Sequence, residues 1–524
     1  MKHRFGNILR SLCCVGSFAL LGISTSASQP VPVPHTTYIP VASNSYPFGA
    51  ANHLNVPEDL NKVGYVEDEY LVSGLANVYN WTAPGTATVR TADAPYATRM
   101  LIRRPIDSRR SSGKVIVEIL NASNLVDLEI GWALSKQQIV HDGDIWVGFT
   151  SKPVTAAALK RFNPTRYAAL NWSNPLPLTD PQNCTQLVSV ITGDSSRTTE
   201  NGLLWDIFSQ IAALVRSESH ENPLHNYDVD RVYGYGYSQS GFDLQTYIDA
   251  VFPLAKLANG KPVFDGFLDV AGFNTPAPIN QCSEPPSGAG PGQIKDAGVP
   301  VIRMATNSEE VLASVQAGRR ADSNAYPDQF REYELASAPH ATPNELDFGP
   351  AFADILAAGA PMPPVTCGFG PRSPLPTGIF QDAALRNLDL WVRRNVPPPP
   401  GKLLDFVNGV QVLDTYGNAV GGVRSSYVDV PTAHWFVGSA GAGLCFLLGY
   451  VHPFDEAEMK PLYPDHGVYA GKVIADIFKL VVERYITLED GLEIINHARQ
   501  SGVPDTADIP SDLPDNLYLI DDWK

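Results

Sequence analysis

The chain has 524 residues, 44% hydrophobic and 18% charged, with a formal net charge of −17. That is enough apolar content for one large core or two, and the acidic balance excludes a phosphate-tracking nucleic-acid surface, which needs clustered Lys and Arg. Beyond the N-terminus no stretch is long and apolar enough to span a membrane.

Residues 1–28 read as a signal peptide. Lys2, Arg4 and Arg10 give a basic start, Leu12 to Ile23 is apolar but short for an anchor, and Ser26-Ala27-Ser28 offers small residues for cleavage. The expected destination is outside the cell or the periplasm, with no stable membrane insertion after cleavage. Residues 29–60, rich in Pro, Ser and Thr, read as an exposed lead-in. From 61 to 400 the pattern is that of one catalytic domain, its N-terminal strands included, and 401–524 reads as an extension packed on it.

Within 65–104, β-prone runs alternate with turn residues, as in antiparallel strands at a sheet edge. At Lys114 the pattern changes. Lys114–Leu120 and Asp144–Phe149 are near-continuous apolar strands with a helical stretch, 130–138, between them. Gly202–Ser217 is apolar at helical spacing, and Phe264–Val270, Val299–Met304 and Phe330–Leu335 are further short strands. Alternating strands and helices predict an α/β fold with a mostly parallel central sheet, which places ligands beyond the carboxyl ends of the strands. Cys282–Gly298 and Phe348–Thr377 read as long irregular loops. Ala383–Arg394, Tyr469–Glu483 and Leu488–Arg499 read as helices.

The segment Arg231–Asp243 carries the chemistry. A short β-prone run (231–235) meets Gly236-Tyr237-Ser238-Gln239-Ser240-Gly241, and a helix-prone run follows. A serine at the apex of a strand–turn–helix, flanked by small residues, is a nucleophile elbow. A serine hydroxyl needs a general base, usually histidine, and an acid to orient it. In this fold the order along the chain is nucleophile, acid, histidine. After Ser238, the strand 299–304 runs into Thr306-Asn307-Ser308-Glu309-Glu310-Val311. The strand 330–335 then runs into Ala336-Ser337-Ala338-Pro339-His340. Ser238, Glu309 and His340 are the candidate triad, with Glu310 as the alternative acid. His434, His452, His466 and His497 follow long excursions, and His220 and His225 precede the serine.

The candidate oxyanion donors are the amide of Gln239 and one from the loop Asn121–Asn124, with Asn121 first; Asn121 or Asn124 closing the turn by a side-chain bond is the alternative. Cys184, Cys282, Cys367 and Cys445 remain in the mature chain, enough for two disulfides in any of three pairings, with a buried free thiol at Cys445 as the other option. Asn80, Asn121, Asn171 and Asn183 stand in glycosylation sequons. No P-loop, dinucleotide fingerprint, H-E-x-x-H or compact Cys/His cluster is present, which leaves a cofactor-free hydrolase without a metal.

These pieces together resemble the α/β-hydrolase-domain proteins whose elbow reads G-x-S-Q-S/T-G. The likeness runs from about Tyr65 to Arg499. Tyr65–Gly74 is similar to the family's opening, Val117–Asn121 to its early strand and turn, and Leu159–Tyr167 to a stretch before the elbow. Tyr333 to His340 is similar to its histidine loop, and Trp391–Arg394 with Asp414–Arg424 to its later signature. The resemblance implies an α/β-hydrolase fold and a serine hydrolase, a carboxylic ester hydrolase acting on a small-molecule or polymeric ester. The family's acid region often reads T-E-T-[DE]-V. The extra residue here leaves the register between Glu309 and Glu310 open. An amidase or acyltransferase on the same triad, or a non-catalytic binding protein on the same scaffold, are the alternatives.

Overall fold

The computed structural model describes residues 30–188, 196–286 and 294–510. The expected signal at 1–28 lies outside them. Nine strands form one sheet: β1 (His35–Tyr38), β2 (Tyr65–Ala83), β3 (Thr86–Pro105), β4 (Lys114–Ile119), β5 (Ile145–Phe149), β6 (Arg231–Tyr237), β7 (Gly266–Val270), β8 (Val301–Thr306) and β9 (Phe330–Leu335). Their order is β1-β2-β3-β5-β4-β6-β7-β8-β9. The strands β4 to β9 run parallel, and β1 to β3 close one edge antiparallel.

The parallel strands are apolar on both faces because helices cover both. On β4, Val115, Val117 and Ile119 enter one core cluster and Ile116 the other, the period of two that a strand imposes. Helices α2 (Pro153–Phe162) and α3 (Leu203–Val215) pack in the first cluster, α3 buried along its whole length. Helix α1 (Ile130–Asp142) and the helix Gly378–Arg394 pack in the second. The helices His466–Val482 and Leu488–Gln500 place Tyr469, Ile477, Leu480 and Ile494 in that same cluster, so the segment after residue 401 shares the core of the sheet.

Of the segment whose composition predicts an exposed lead-in, residues 30–46 are mostly exposed, whereas residues 47–60 turn inward. His35–Tyr38 is the edge strand of the sheet, and Phe48, Ala50, Ala51, Leu54 and Leu60 are buried. The cause lies on β3, where two buried arginines reach across to this segment. Arg99 donates to the Phe48 carbonyl and Arg103 to the Gly49 carbonyl. Arg99 pairs with Glu69 and Asp127, and Arg103 with Glu67 and Glu129. Buried guanidinium groups need such partners, and backbone carbonyls of the turn at Phe48 and Gly49 supply part of the set.

Two disulfides join Cys184 to Cys282 and Cys367 to Cys445, so Cys445 is not a free thiol. Phe348–Thr377, expected to be irregular, contains the helix Phe352–Ala357. Of the four sequons, Asn121 and Asn183 are buried and hydrogen-bonded through their side chains, which removes them as glycan sites in the folded chain.

Burial pushes several carboxyls up: Glu118 and Asp269 to about 7, Glu129 and Glu334 to about 8. A carboxyl raised above its unfolded value contributes stability that is full below the unfolded pKa and is lost as pH rises through the folded one. The melting temperature is therefore expected to be higher at pH 5.5 than at pH 8.5, a difference that calorimetry across that window measures. A midpoint that rises with pH would contradict it.

Candidate active site

The turn expected over 236–241 is a single residue. The strand β6 runs on to Tyr237 and helix α4 (Gln239–Thr246) starts immediately after Ser238. Ser238 itself lies at φ 55° and ψ −118°, where L-residues are strained. The close packing explains the small neighbours. A Cβ on Gly236 would meet the Ser240 carbonyl at 2.4 Å, and one on Gly241 would meet Asp269 Oδ1 at 2.9 Å. Ser240 is fully buried, and its hydroxyl donates to the Tyr237 carbonyl (3.0 Å) and accepts the Tyr237 N–H (2.9 Å). That hydroxyl locks the turn and does not face the pocket.

Strain at Ser238 has a measurable consequence. Backbone strain of this kind costs about 1–3 kcal/mol, and glycine escapes it while losing about 0.5–1 kcal/mol of chain entropy. Ser238→Gly is therefore expected to gain about 1 kcal/mol of stability by urea denaturation, with no hydroxyl left for chemistry. A clear loss of stability would show that the Ser238 side chain holds the elbow together.

His340 Nε2 lies 2.7 Å from Ser238 Oγ, and its Nδ1 makes a short contact with Glu309 Oε1. The ring is held from all sides. Its backbone N–H donates to Ser308 Oγ (3.0 Å) and to the Leu447 carbonyl (2.9 Å). Its carbonyl accepts from the Tyr237 hydroxyl, which burial keeps protonated by raising its pKa well above the usual phenol value. Tyr237 and Phe273 flank the imidazole at 5.8 and 5.7 Å. The other histidines are elsewhere: His434 contacts Tyr416 and Glu458, His466 the Arg499 carbonyl, and His497 Asp508.

Of the two glutamates left open by the sequence, Glu309 is the one in contact with His340. Both sit on the one-turn helix α5 (Asn307–Glu310) at the end of β8. Glu309 is fully buried and takes the Thr306 N–H (2.6 Å) and the Thr306 hydroxyl (2.8 Å), so the same carboxylate closes the helix start and meets His340. Glu310 points the other way. It pairs with Arg303 (3.2 Å) and Arg319 (3.3 Å), beside Glu332 and Glu334.

Asn121 does not offer the oxyanion donor expected of it. Its N–H donates to the Leu128 carbonyl (3.0 Å), its Nδ2 to the Tyr237 carbonyl (2.7 Å), and its Oδ1 accepts from the Ser123 N–H (2.8 Å). The side chain closes the loop and ties it to the elbow. The Ala122 N–H meets Gln239 Oε1 (3.0 Å), while Gln239 Nε2 donates to Asp243 (2.6 Å), itself paired with Lys152 (2.9 Å). Sequence reasoning missed Lys152 and Asp243, which carry no motif of their own. The Gln239 N–H heads α4 and has no acceptor within the helix, as the first N–H groups of any helix do not.

Ser238 and His340 open into a cavity of about 110 Å³, walled mainly by apolar side chains such as Leu128, Ile130, Phe352, Ile355 and Leu448. Glu345 and Arg372 add the charged groups. Burial raises the Glu345 carboxyl, and the charge of Arg372 opposes the rise.

A family model described as an alpha/beta hydrolase domain matches residues 28–496. No curated protein matches the chain. Among solved structures it is similar to an alpha-beta serine hydrolase homologue from Coxiella burnetii, at 12% identity over 46% of this chain and 82% of that one, with a TM-score of 0.23. An esterase from Pyrobaculum calidifontis matches at 11% identity over 50% and 76%, with a TM-score of 0.26. A thermostable esterase from Pseudomonas putida matches at 10% over 58% and 82%, with a TM-score of 0.29. With the family model spanning the sheet, the elbow and most of the segment after residue 401, the chain belongs to the alpha/beta hydrolase domain family.

Proposed function

We propose that the protein is an exported serine hydrolase that cleaves carboxylic esters through an acyl-enzyme. The observation that carries this reading is the contact chain Ser238–His340–Glu309, with Ser238 Oγ 2.7 Å from His340 Nε2 at the floor of a cavity. Ser238 Oγ attacks the ester carbonyl as His340 Nε2 takes its proton. The Gln239 N–H faces the developing oxyanion. His340, with Nδ1–H held by Glu309, then protonates the leaving alcohol, and water reverses the sequence to release the acid. Export is supported by the leader-like residues 1–28 and by two disulfides, which persist in oxidising compartments.

The test is hydrolysis of p-nitrophenyl esters from acetate to palmitate, together with fluorophosphonate labelling. The small cavity favours short acyl chains. Turnover falling with acyl length and an adduct on Ser238 are the expected results. An adduct on Ser240, or a folded protein that neither turns over nor labels, would overturn the reading.

A further inference from the structure

The ester-hydrolase reading leaves the mouth of the pocket unexplained. Two runs of chain meet there, 355–371 and 430–454, and neither contains an Asp, Glu, Lys or Arg, although the chain as a whole carries −17. They are joined by the disulfide Cys367–Cys445, by the Gly368 N–H donating to the Ala440 carbonyl (2.6 Å), and by the Phe369 N–H donating to Ser439 Oγ (3.2 Å). Both runs wall the pocket above Ser238, through Ile355 and Pro363 on one side and Leu444 and Leu448 on the other.

Their neighbours turn outward. Phe369 is 61% exposed and Phe446 56%, and Leu356, Met362 and Val365 on the first run are exposed as well. Leu444 belongs to both sets, lining the pocket and reaching solvent, so on this side the wall of the cavity carries an apolar side chain out to the surface. Apolar side chains exposed singly need no explanation, but a patch continuous with a reactive pocket marks an interaction surface. Its lack of charge fixes the chemistry of the occupant. Two charge-free runs on an acidic protein gain nothing from a charged partner and are matched by a neutral, apolar phase.

We infer that this rim is a docking surface for a water-insoluble neutral ester, gathered as droplets from which single ester groups enter the pocket. This rests on the ester-hydrolase reading. The cavity takes the acyl group, and Phe369 and Phe446, outside the cavity lining, hold the bulk phase.

The test compares tributyrin, which separates as droplets above its solubility limit, with dissolved p-nitrophenyl acetate. The wild-type rate on tributyrin is expected to rise several-fold as droplets form. The double variant Phe369→Ser, Phe446→Ser is expected to lose about tenfold or more of the droplet rate and to keep p-nitrophenyl acetate turnover within about twofold. Ser238→Ala gives a readout free of catalysis. It is expected to float with droplets, and the same chain carrying the two rim substitutions is expected to stay in solution. A wild-type rate that does not rise, or rim substitutions that leave droplet binding intact, would overturn the inference. So would a dimer that the rim substitutions dissolve, which would assign the surface to a second copy. A protein inert towards p-nitrophenyl acetate and fluorophosphonate would remove the ester-hydrolase reading itself, so the two failures are distinct.

Discussion

Ser238→Ala is expected to lower kcat on p-nitrophenyl acetate by about 10⁵–10⁶-fold, the scale seen when a triad nucleophile is removed. The argument rests on position. Ser238 is held out at the elbow with its hydroxyl 2.7 Å from His340, whereas the neighbouring Ser240 has its hydroxyl spent on the backbone of Tyr237. Alanine at 238 keeps the same backbone strain and removes one oxygen, so the melting temperature is expected to stay within a few degrees of wild type. Steady-state kinetics and a thermal melt on the same preparation check both halves. Residual turnover near the wild-type rate would place the nucleophile elsewhere. A collapse in stability would mean that the hydroxyl braces the turn instead.

Glu309→Gln is expected to cost about 10³–10⁴-fold in kcat. Glutamine is the same size and can still bond Thr306, so the start of α5 survives. On the proposed mechanism, what it loses is the negative charge that fixes the tautomer of His340 and stabilises the imidazolium formed when Ser238 gives up its proton. Glu310→Gln is the contrast. It weakens the pairing with Arg303 and Arg319 and is expected to lower stability by about 1–3 kcal/mol, with kcat per labelled active site close to wild type. Fluorophosphonate titration counts the active sites and separates lost protein from lost chemistry. The opposite pattern, with Glu310→Gln inactive and Glu309→Gln normal, would reassign the acid.

Much of this arrangement could be read from local pattern. The near-continuous apolar strands 114–120 and 144–149, alternating with helices, carry the parallel sheet on their own composition. The crowding around Ser238 forces small residues at 236, 240 and 241, and so leaves a trace in sequence. Glu309 and Glu310 leave no such trace, because neighbours on one helical turn point about 100° apart and only the packing of α5 decides which meets His340. Asn121 has the right residue type in the right loop, but its hydrogen bonds to Leu128, Tyr237 and Ser123 depend on long-range contacts. The later part of the segment 29–60 departs from its composition for a related reason. Its polar composition says surface, whereas its backbone carbonyls are what Arg99 and Arg103 require.

The strand order also sets when the protein can fold. At the centre of the sheet β4 pairs with β6, Lys114 beside Arg231, and the chain between them supplies β5, α1 and α3. The central pair therefore cannot close during synthesis until nearly half of the chain has emerged. Pairings this distant along the chain make folding slow, because loop closure precedes the contacts that reward it. The same delay makes aggregation the main hazard when the chain is refolded from denaturant.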